Sequence, residues 1–208
     1  MILSGGDPLM LPDERLAWLL GELRKIPHVE IVRIHSRIPC TLPQRVTPEL
    51  TALLGRFQPL YLNTHFNHPR ELTAEAAEAC SRLADSGIPL GNQAVLLRGV
   101  NDDAATLGRL FRRLLALRVK PYYLHHPAQV RGTGHFWCAP QHGLDVVAKL
   151  RGRISGRAIP HDVVDLPGGR GKVPLTPESV LSRDEDCWRI RGVSGEVVAY
   201  RLHPERPC

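Results

Sequence analysis

Cysteine is scarce and scattered. The five residues, Cys40, Cys80, Cys138, Cys187 and Cys208, are odd in number, and no two lie close together in the chain. That spacing excludes a dense disulfide framework and a paired zinc knuckle. It leads us to expect reduced thiols in a cytoplasmic protein. Long apolar runs are missing too. None approaches the roughly 18 residues that a membrane helix needs, and no basic stretch followed by an apolar one marks a secretory signal. The chain carries a net charge of +6. Its Lys and Arg are nevertheless spread along the chain, apart from a modest concentration over Arg151–Arg157, and no basic block is interleaved with aromatics. The charge therefore points to an anionic small-molecule ligand in a cleft, not to a nucleic-acid groove.

Several catalytic signatures are also absent. There is no H-E-x-x-H, and the adjacent His125 and His126 would point to opposite faces of a strand, so no metal site is expected. A G-x-S-x-G elbow is lacking. A phosphate-binding loop would need Gly six positions before Lys172 and Ser or Thr after it. Those positions are Leu166 and Val173.

What is present is an ordinary globular composition of 208 residues, 43% hydrophobic and 23% charged, enough for one substantial core. Apolar runs alternate with helical spacing. Asp13 reads as an N-cap for a helix stopped by Pro27, and Thr47-Pro48 opens another. Helices follow from Thr73 to Ala84, Asp103 to Leu117 and about Gln141 to Leu150, with strands near 29–34, 59–62, 88–97, 119–124 and 159–164. About six strands and five intervening helices imply parallel strands with right-handed crossovers, and the count favours a partial barrel over an open sheet. Past Pro174 the pattern changes to two-residue alternation, a small hairpin tail. We expect a barrel over residues 1–175 and a β-rich tail over 176–208.

In parallel α/β folds ligands sit beyond the C-terminal ends of the strands. Those ends carry Ser4-Gly5-Gly6-Asp7, His35-Ser36-Arg37, Asn63-Thr64-His65, Asn92-Gln93, His125-His126, and Asp165 with Lys172. Polar or ionisable groups at every strand end mark a binding or active site. The last stretch, Asp165-Leu166-Pro167-Gly168-Gly169-Arg170-Gly171-Lys172-Val173-Pro174, is a Gly-rich turn with a lysine at its tip. By itself Lys172 could be a phosphate contact, a Schiff-base nucleophile or a solvated turn charge.

Several of these stretches together resemble one family. Ser4-Gly5-Gly6-Asp7 is similar to the Gly-Gly turn of radical S-adenosylmethionine enzymes. Asn63–Pro69, Gly91–Asp102, Lys120-Pro121-Tyr122-Tyr123 and Pro167–Pro174 resemble the lysine 2,3-aminomutases, and the likeness runs from about residue 2 to 200. It implies a partial (β/α)6 barrel and an isomerase that moves an α-amino group to the β-carbon. A 5′-deoxyadenosyl radical would abstract hydrogen while pyridoxal 5′-phosphate carries the amino group as an imine. The likeness makes Lys172 the lysine that holds pyridoxal phosphate. It sets Gly5, Gly6 and Asp7 against the methionyl part of S-adenosylmethionine, with Asn63, His65 and Gln93 beside them. Asp165 would meet the distal amine of a lysine substrate. His125 stands where the lysine enzyme has a tyrosine, resembles the branch that makes β-lysine for modifying elongation factor P, and is counted with the cofactor contacts.

The sequence also departs from the family. The Cys-x-x-x-Cys-x-x-Cys motif that holds a [4Fe–4S] cluster is absent. The chain opens on the end of a strand, so it reads as a C-terminal portion that would be inactive alone. The family's second substrate-amine aspartate falls at Ala128, which leaves Asp165, helped by Gln129, or else a different amino-acid substrate. Asp103 replaces a zinc-ligand cysteine, so no structural zinc is expected. The rival reading is a non-catalytic pyridoxal phosphate-binding remnant. Partners are a small amino-acid substrate, with no nucleic acid and no membrane. A homo-oligomer is left open.

Overall fold

Local chemistry sets where the elements begin. Thr47 Oγ1 accepts from Leu50 N at 3.2 Å and Thr73 Oγ1 from Ala76 N at 3.2 Å. Each hydroxyl satisfies one of the orphan N–H groups of a first helical turn. A computed structural model describes residues 1–128, 130, 132–176, 178–192 and 194–202. Its strands are β1 (Ile2–Leu3), β2 (Val32–His35), β3 (Leu60–Thr64), β4 (Leu90–Val95), β5 (Val119–His125), β6 (His161–Asp165) and β7 (Lys172–Pro174), in that order in one sheet. Helices α1 (Asp13–Arg24), α2 (Ile38–Thr41), α3 (Pro48–Gly55), α4 (Ala74–Asp85), α5 (Ala104–Ala116) and α6 (Pro140–Leu150) lie between them. A second, three-stranded antiparallel sheet contains β8 (Val180–Arg183), β9 (Cys187–Arg191) and β10 (Val197–Arg201), ordered β10-β9-β8.

The chain divides into two compact units, the first comprising Met1–Gln93 with Arg109–Pro121 and the second Ala94–Gly108 with Tyr122–Cys208. In the first, β1, β2 and β3 run parallel, with Leu3 opposite Ile34 and Ile34 opposite Leu62. These residues alternate with polar ones, so each strand turns one face inward. Arginines close the gaps. Arg24 donates to the carbonyls of Glu30, Phe57 and Pro59, and Arg113 to those of Pro69 and Leu72. These loop carbonyls thereby gain charged donors.

In the second unit β5 and β6 are parallel, and β6 then turns back as an antiparallel hairpin with β7. Leu124, His126, Asp162 and Val164 share one face of these strands, and Tyr123, His125, His161 and Asp165 the other, by simple alternation. The first face is buried. Val164, Val173 and Leu166 pack with Trp188, Ile190 and Tyr200 of the small sheet. The expected hairpin tail is thus three strands that cover the back of the β6–β7 hairpin.

Three local expectations need correction. Asp13 does not cap α1. It is the first helical residue, and its carboxylate accepts from Arg45. Lys172 is not at a loop tip but on β7, directly opposite Asp165. Cys40, Cys80 and Cys138 are free thiols, whereas Cys187 is disulfide-bonded, so the cysteines are not uniformly reduced. No helix among the described residues is long and apolar enough to cross a membrane.

Candidate active site

Two groups of polar side chains gather at strand ends, one in each unit. In the first unit the Gly5-Gly6 turn has φ values of 86° and 52°, and a Cβ on either glycine would meet nothing within 4 Å. The turn therefore presents bare peptide groups outward. Asp7, next to it, is occupied by its own chain. Its Oδ1 accepts from Ser36 Oγ at 2.7 Å and Leu9 N at 3.1 Å, and its Oδ2 from Arg37 N at 2.7 Å. Glu71 acts similarly. It accepts from the backbone N–H groups of Asn67 and His68 and from Arg37 Nη2. Asn92, fully buried, accepts from Phe66 N at 2.7 Å and donates to Phe66 O at 3.1 Å. Asp7 thus ties the end of β1 to that of β2, Glu71 the segments that follow β2 and β3, and Asn92 the end of β3 to β4. Asn63 lies 3.4 Å from the His35 ring, His65 is half-buried beyond β3, and Gln93 is buried in β4.

The second unit brings together His125, Asp165 and Lys172. The β6–β7 register sets Asp165 against Lys172, and Lys172 Nζ lies 3.1 Å from Asp165 Oδ1. Leu166 N donates to Gly171 O at 2.9 Å and closes the hairpin. Between them Gly168, Gly169 and Gly171 all have positive φ, from 71° to 88°, which a side chain would resist. His125 Nδ1 lies 3.3 Å from Asp165 Oδ2 and 3.5 Å from Lys172 Nζ. One nitrogen cannot donate to the first and accept from the second at once. The shorter contact decides: Nδ1–H donates to Asp165, and Lys172 pairs with the other carboxylate oxygen. Lys172 Nζ also stands 5.6 Å from the centre of the Tyr123 ring, within cation–π range.

The Asp165 carboxyl is held below the usual carboxylate range, first by the His125 hydrogen bond and then by Lys172, while burial pulls the other way. A depressed folded value means that this contribution to stability is present above the ordinary carboxylate range. It is lost as pH falls through the lowered value. With Asp165 52% exposed, the contribution is small. A carbon-detected titration should show its midpoint below that of a free aspartate, and His125→Ala and Lys172→Met should each raise it. No movement in either variant would remove the triad.

Which groups could these residues hold? The amine of Lys172, half-buried on a strand beside a carboxylate and an aromatic face, fits an aldehyde cofactor. The bare Gly5-Gly6 peptides fit a ligand approached by backbone. A [4Fe–4S] cluster does not fit. It needs three thiolates, and no group of three His, Cys, Asp or Glu side chains suited to a metal occurs among the described residues. Burial also pushes the Cys40 and Cys138 thiols up to about 11 and Cys80 to about 12. Gln129 lies outside the described residues. Sequence reasoning missed Glu71, Tyr123 and His161 as site neighbours. The two-residue spacing of Tyr123 with His125, and of His161 with the β6 carboxylate line, was the signal available for two of them.

The fold and these strand-end groups define the class first. The protein is a mixed α/β fold, with one mostly parallel seven-stranded sheet interleaved with helices and a small antiparallel sheet. A domain of pyruvate-formate lyase-activating enzyme from Bacteroides vulgatus matches 79% of this chain and 98% of its own length, with a TM-score of 0.56 and 15% identity. That likeness concerns the fold alone. Residues 147–207 match the family model Lysine-2,3-aminomutase. The chain is 48% identical over 200 residues to L-lysine 2,3-aminomutase of Clostridium subterminale, covering 96% of this chain and 48% of that protein. It is 45% identical over 204 residues to glutamate 2,3-aminomutase of Clostridioides difficile, covering 98% and 48%. The chain belongs to the lysine 2,3-aminomutase family and spans about half the length of the curated relatives it matches.

Proposed function

We propose that this chain supplies the pyridoxal phosphate and substrate-ammonium part of an amino-acid 2,3-aminomutase, an isomerase that shifts an α-amino group to the β-carbon. The observation that carries the reading is the Lys172–Asp165 pair, built by the β6–β7 register within a chain 48% identical to a lysine 2,3-aminomutase. Pyridoxal phosphate, when bound, would hold the migrating amino group as an imine. S-adenosylmethionine would be the source of the 5′-deoxyadenosyl radical. Lys172 supplies the amine that takes the cofactor aldehyde. His125 orients Asp165 through its Nδ1–H, and Asp165 receives the distal ammonium of the substrate. The backbone of Gly5-Gly6 receives the methionyl end of S-adenosylmethionine, with Asp7 fixing the turn and Asn63, His65 and Gln93 nearby.

Relatives at similar identity are named for lysine and for glutamate, so overall likeness does not choose the substrate. From the Asp165 carboxylate we propose a diamino acid such as lysine. In a spectral titration of the pyridoxal phosphate-loaded chain, lysine should bind about fivefold more tightly than norleucine, the size expected of a half-exposed charge pair. Glutamate should bind weakest, by like-charge repulsion. Asp165→Asn should erase the lysine preference. A preference for glutamate, or one unchanged by the substitution, would contradict the assignment.

A further inference from the structure

Asp165 has been given a substrate ammonium, yet in this structure its carboxylate already holds a cation. Lys172 Nζ lies 3.1 Å from Oδ1, and His125 donates toward Oδ2. The arrangement is fixed by backbone register, because the two residues are cross-strand partners in the β6–β7 hairpin. A cross-strand opposite-charge pair of this kind stabilises the hairpin. It also occupies the very amine that must react. Reaction with an aldehyde needs the Nζ lone pair, and that amine has to leave the carboxylate before its lone pair can reach a carbonyl carbon.

We propose, resting on the function given above, that Asp165 is a latch on Lys172, and that one carboxylate serves two cations in turn. In the cofactor-free chain it holds Lys172. Once an aldehyde has captured the lysine, the same oxygens, still oriented by His125, are open to the distal ammonium of the substrate. Cofactor capture therefore precedes ammonium binding. In the capture step Nζ first loses one proton to solvent; its lone pair then forms the bond to the aldehyde carbon, and the carbonyl oxygen leaves as water with the two protons that remained on nitrogen. The Tyr123 face, 5.6 Å from Nζ, gives the lysine a second seat when it leaves the carboxylate.

The test uses a neutral aldehyde, propionaldehyde, with cyanoborohydride as hydride donor, at one fixed neutral pH and low salt. Peptide mass spectrometry reads the modification of Lys172 against the exposed Lys149 of the same chain. The ratio should rise about threefold in Asp165→Ala, the scale of a half-exposed ion pair. Added salt should raise the wild-type ratio toward the variant and leave the variant unchanged. An equal or lower ratio in Asp165→Ala overturns the latch. So does a rise seen with anionic pyridoxal phosphate but not with propionaldehyde, since that is plain charge repulsion. The order of binding is read separately. L-lysine should shift the Asp165 carboxyl carbon resonance in Lys172→Met and leave it in place in the wild-type chain, and a shift of equal size in both overturns the order. None of these readouts depends on pyridoxal phosphate being the natural cofactor, so failure of the latch and failure of the functional assignment are distinguishable.

Discussion

Gly143→Ala lowers the stability of the protein by about 3 kcal/mol, combining overpacking with disturbance of a buried hydrogen-bonded pair. Gly143 lies in α6, and beneath it His126 Nε2 and Asp162 Oδ1 are 3.0 Å apart, with side chains only 1% and 4% exposed. A Cβ at Gly143 would stand 2.6 Å from His126 Nε2 and 2.8 Å from Asp162 Oδ2. Neither group can retreat freely, because Asp162 lies on β6, His126 directly follows β5, and both side chains are buried under the helix. Among the described residues His126 Nδ1 and Asp162 Oδ2 already lack a hydrogen-bond partner, so any shift has little hydrogen bonding to recover. In an exposed helix the same change would gain about 1 kcal/mol of helix propensity, and here the clash outweighs that gain. Gly108→Ala is the contrast. That glycine is also helical, in α5, but its Cβ would meet only the end of the Leu150 side chain at 3.1 Å. Its stability should stay within about 1 kcal/mol of wild type. Denaturant unfolding of both variants checks the pair. Equal effects would mean that the His126–Asp162 contact does not constrain α6.

The parallel strand–helix alternation was legible because its signals are long and redundant. Thr47-Pro48 and Thr73 mark helix starts by side-chain chemistry, and the stripe of Leu107, Leu110, Phe111 and Leu114 is buried as its spacing requires. Short elements were not legible. Strand β7 is only Lys172-Val173-Pro174, too brief for a period and ending in proline. Helix α2 is a single turn containing Pro39. The opposite faces of His125 and His126 followed from strand alternation and hold in the structure. That His125 meets Asp165, or Gly143 the His126–Asp162 pair, depends on register and helix placement, which no local pattern encodes. Likewise, the polar residues at the strand ends could be gathered from the sequence. It did not show that Asp7, Glu71 and Asn92 are spent on holding backbone.

Lys172→Ala should abolish specific capture of pyridoxal phosphate. The chain has three other lysines, and each is placed differently. Lys25 pairs with Glu22 on the surface, Lys120 donates to the adjacent Pro121 carbonyl, and Lys149 is exposed on α6. Only Lys172 combines a half-buried amine, 33% exposed, with an aromatic face and a carboxylate that can release it. The latch slows the approach to equilibrium without removing the reactive amine. The most direct measurement is therefore borohydride reduction of the 208-residue chain after equilibration with pyridoxal phosphate, followed by peptide mapping. The account predicts that the reduced label lies on the peptide carrying Lys172 and disappears in Lys172→Ala. Label spread evenly over the four lysines, or equal labelling of Lys172→Ala, would contradict it.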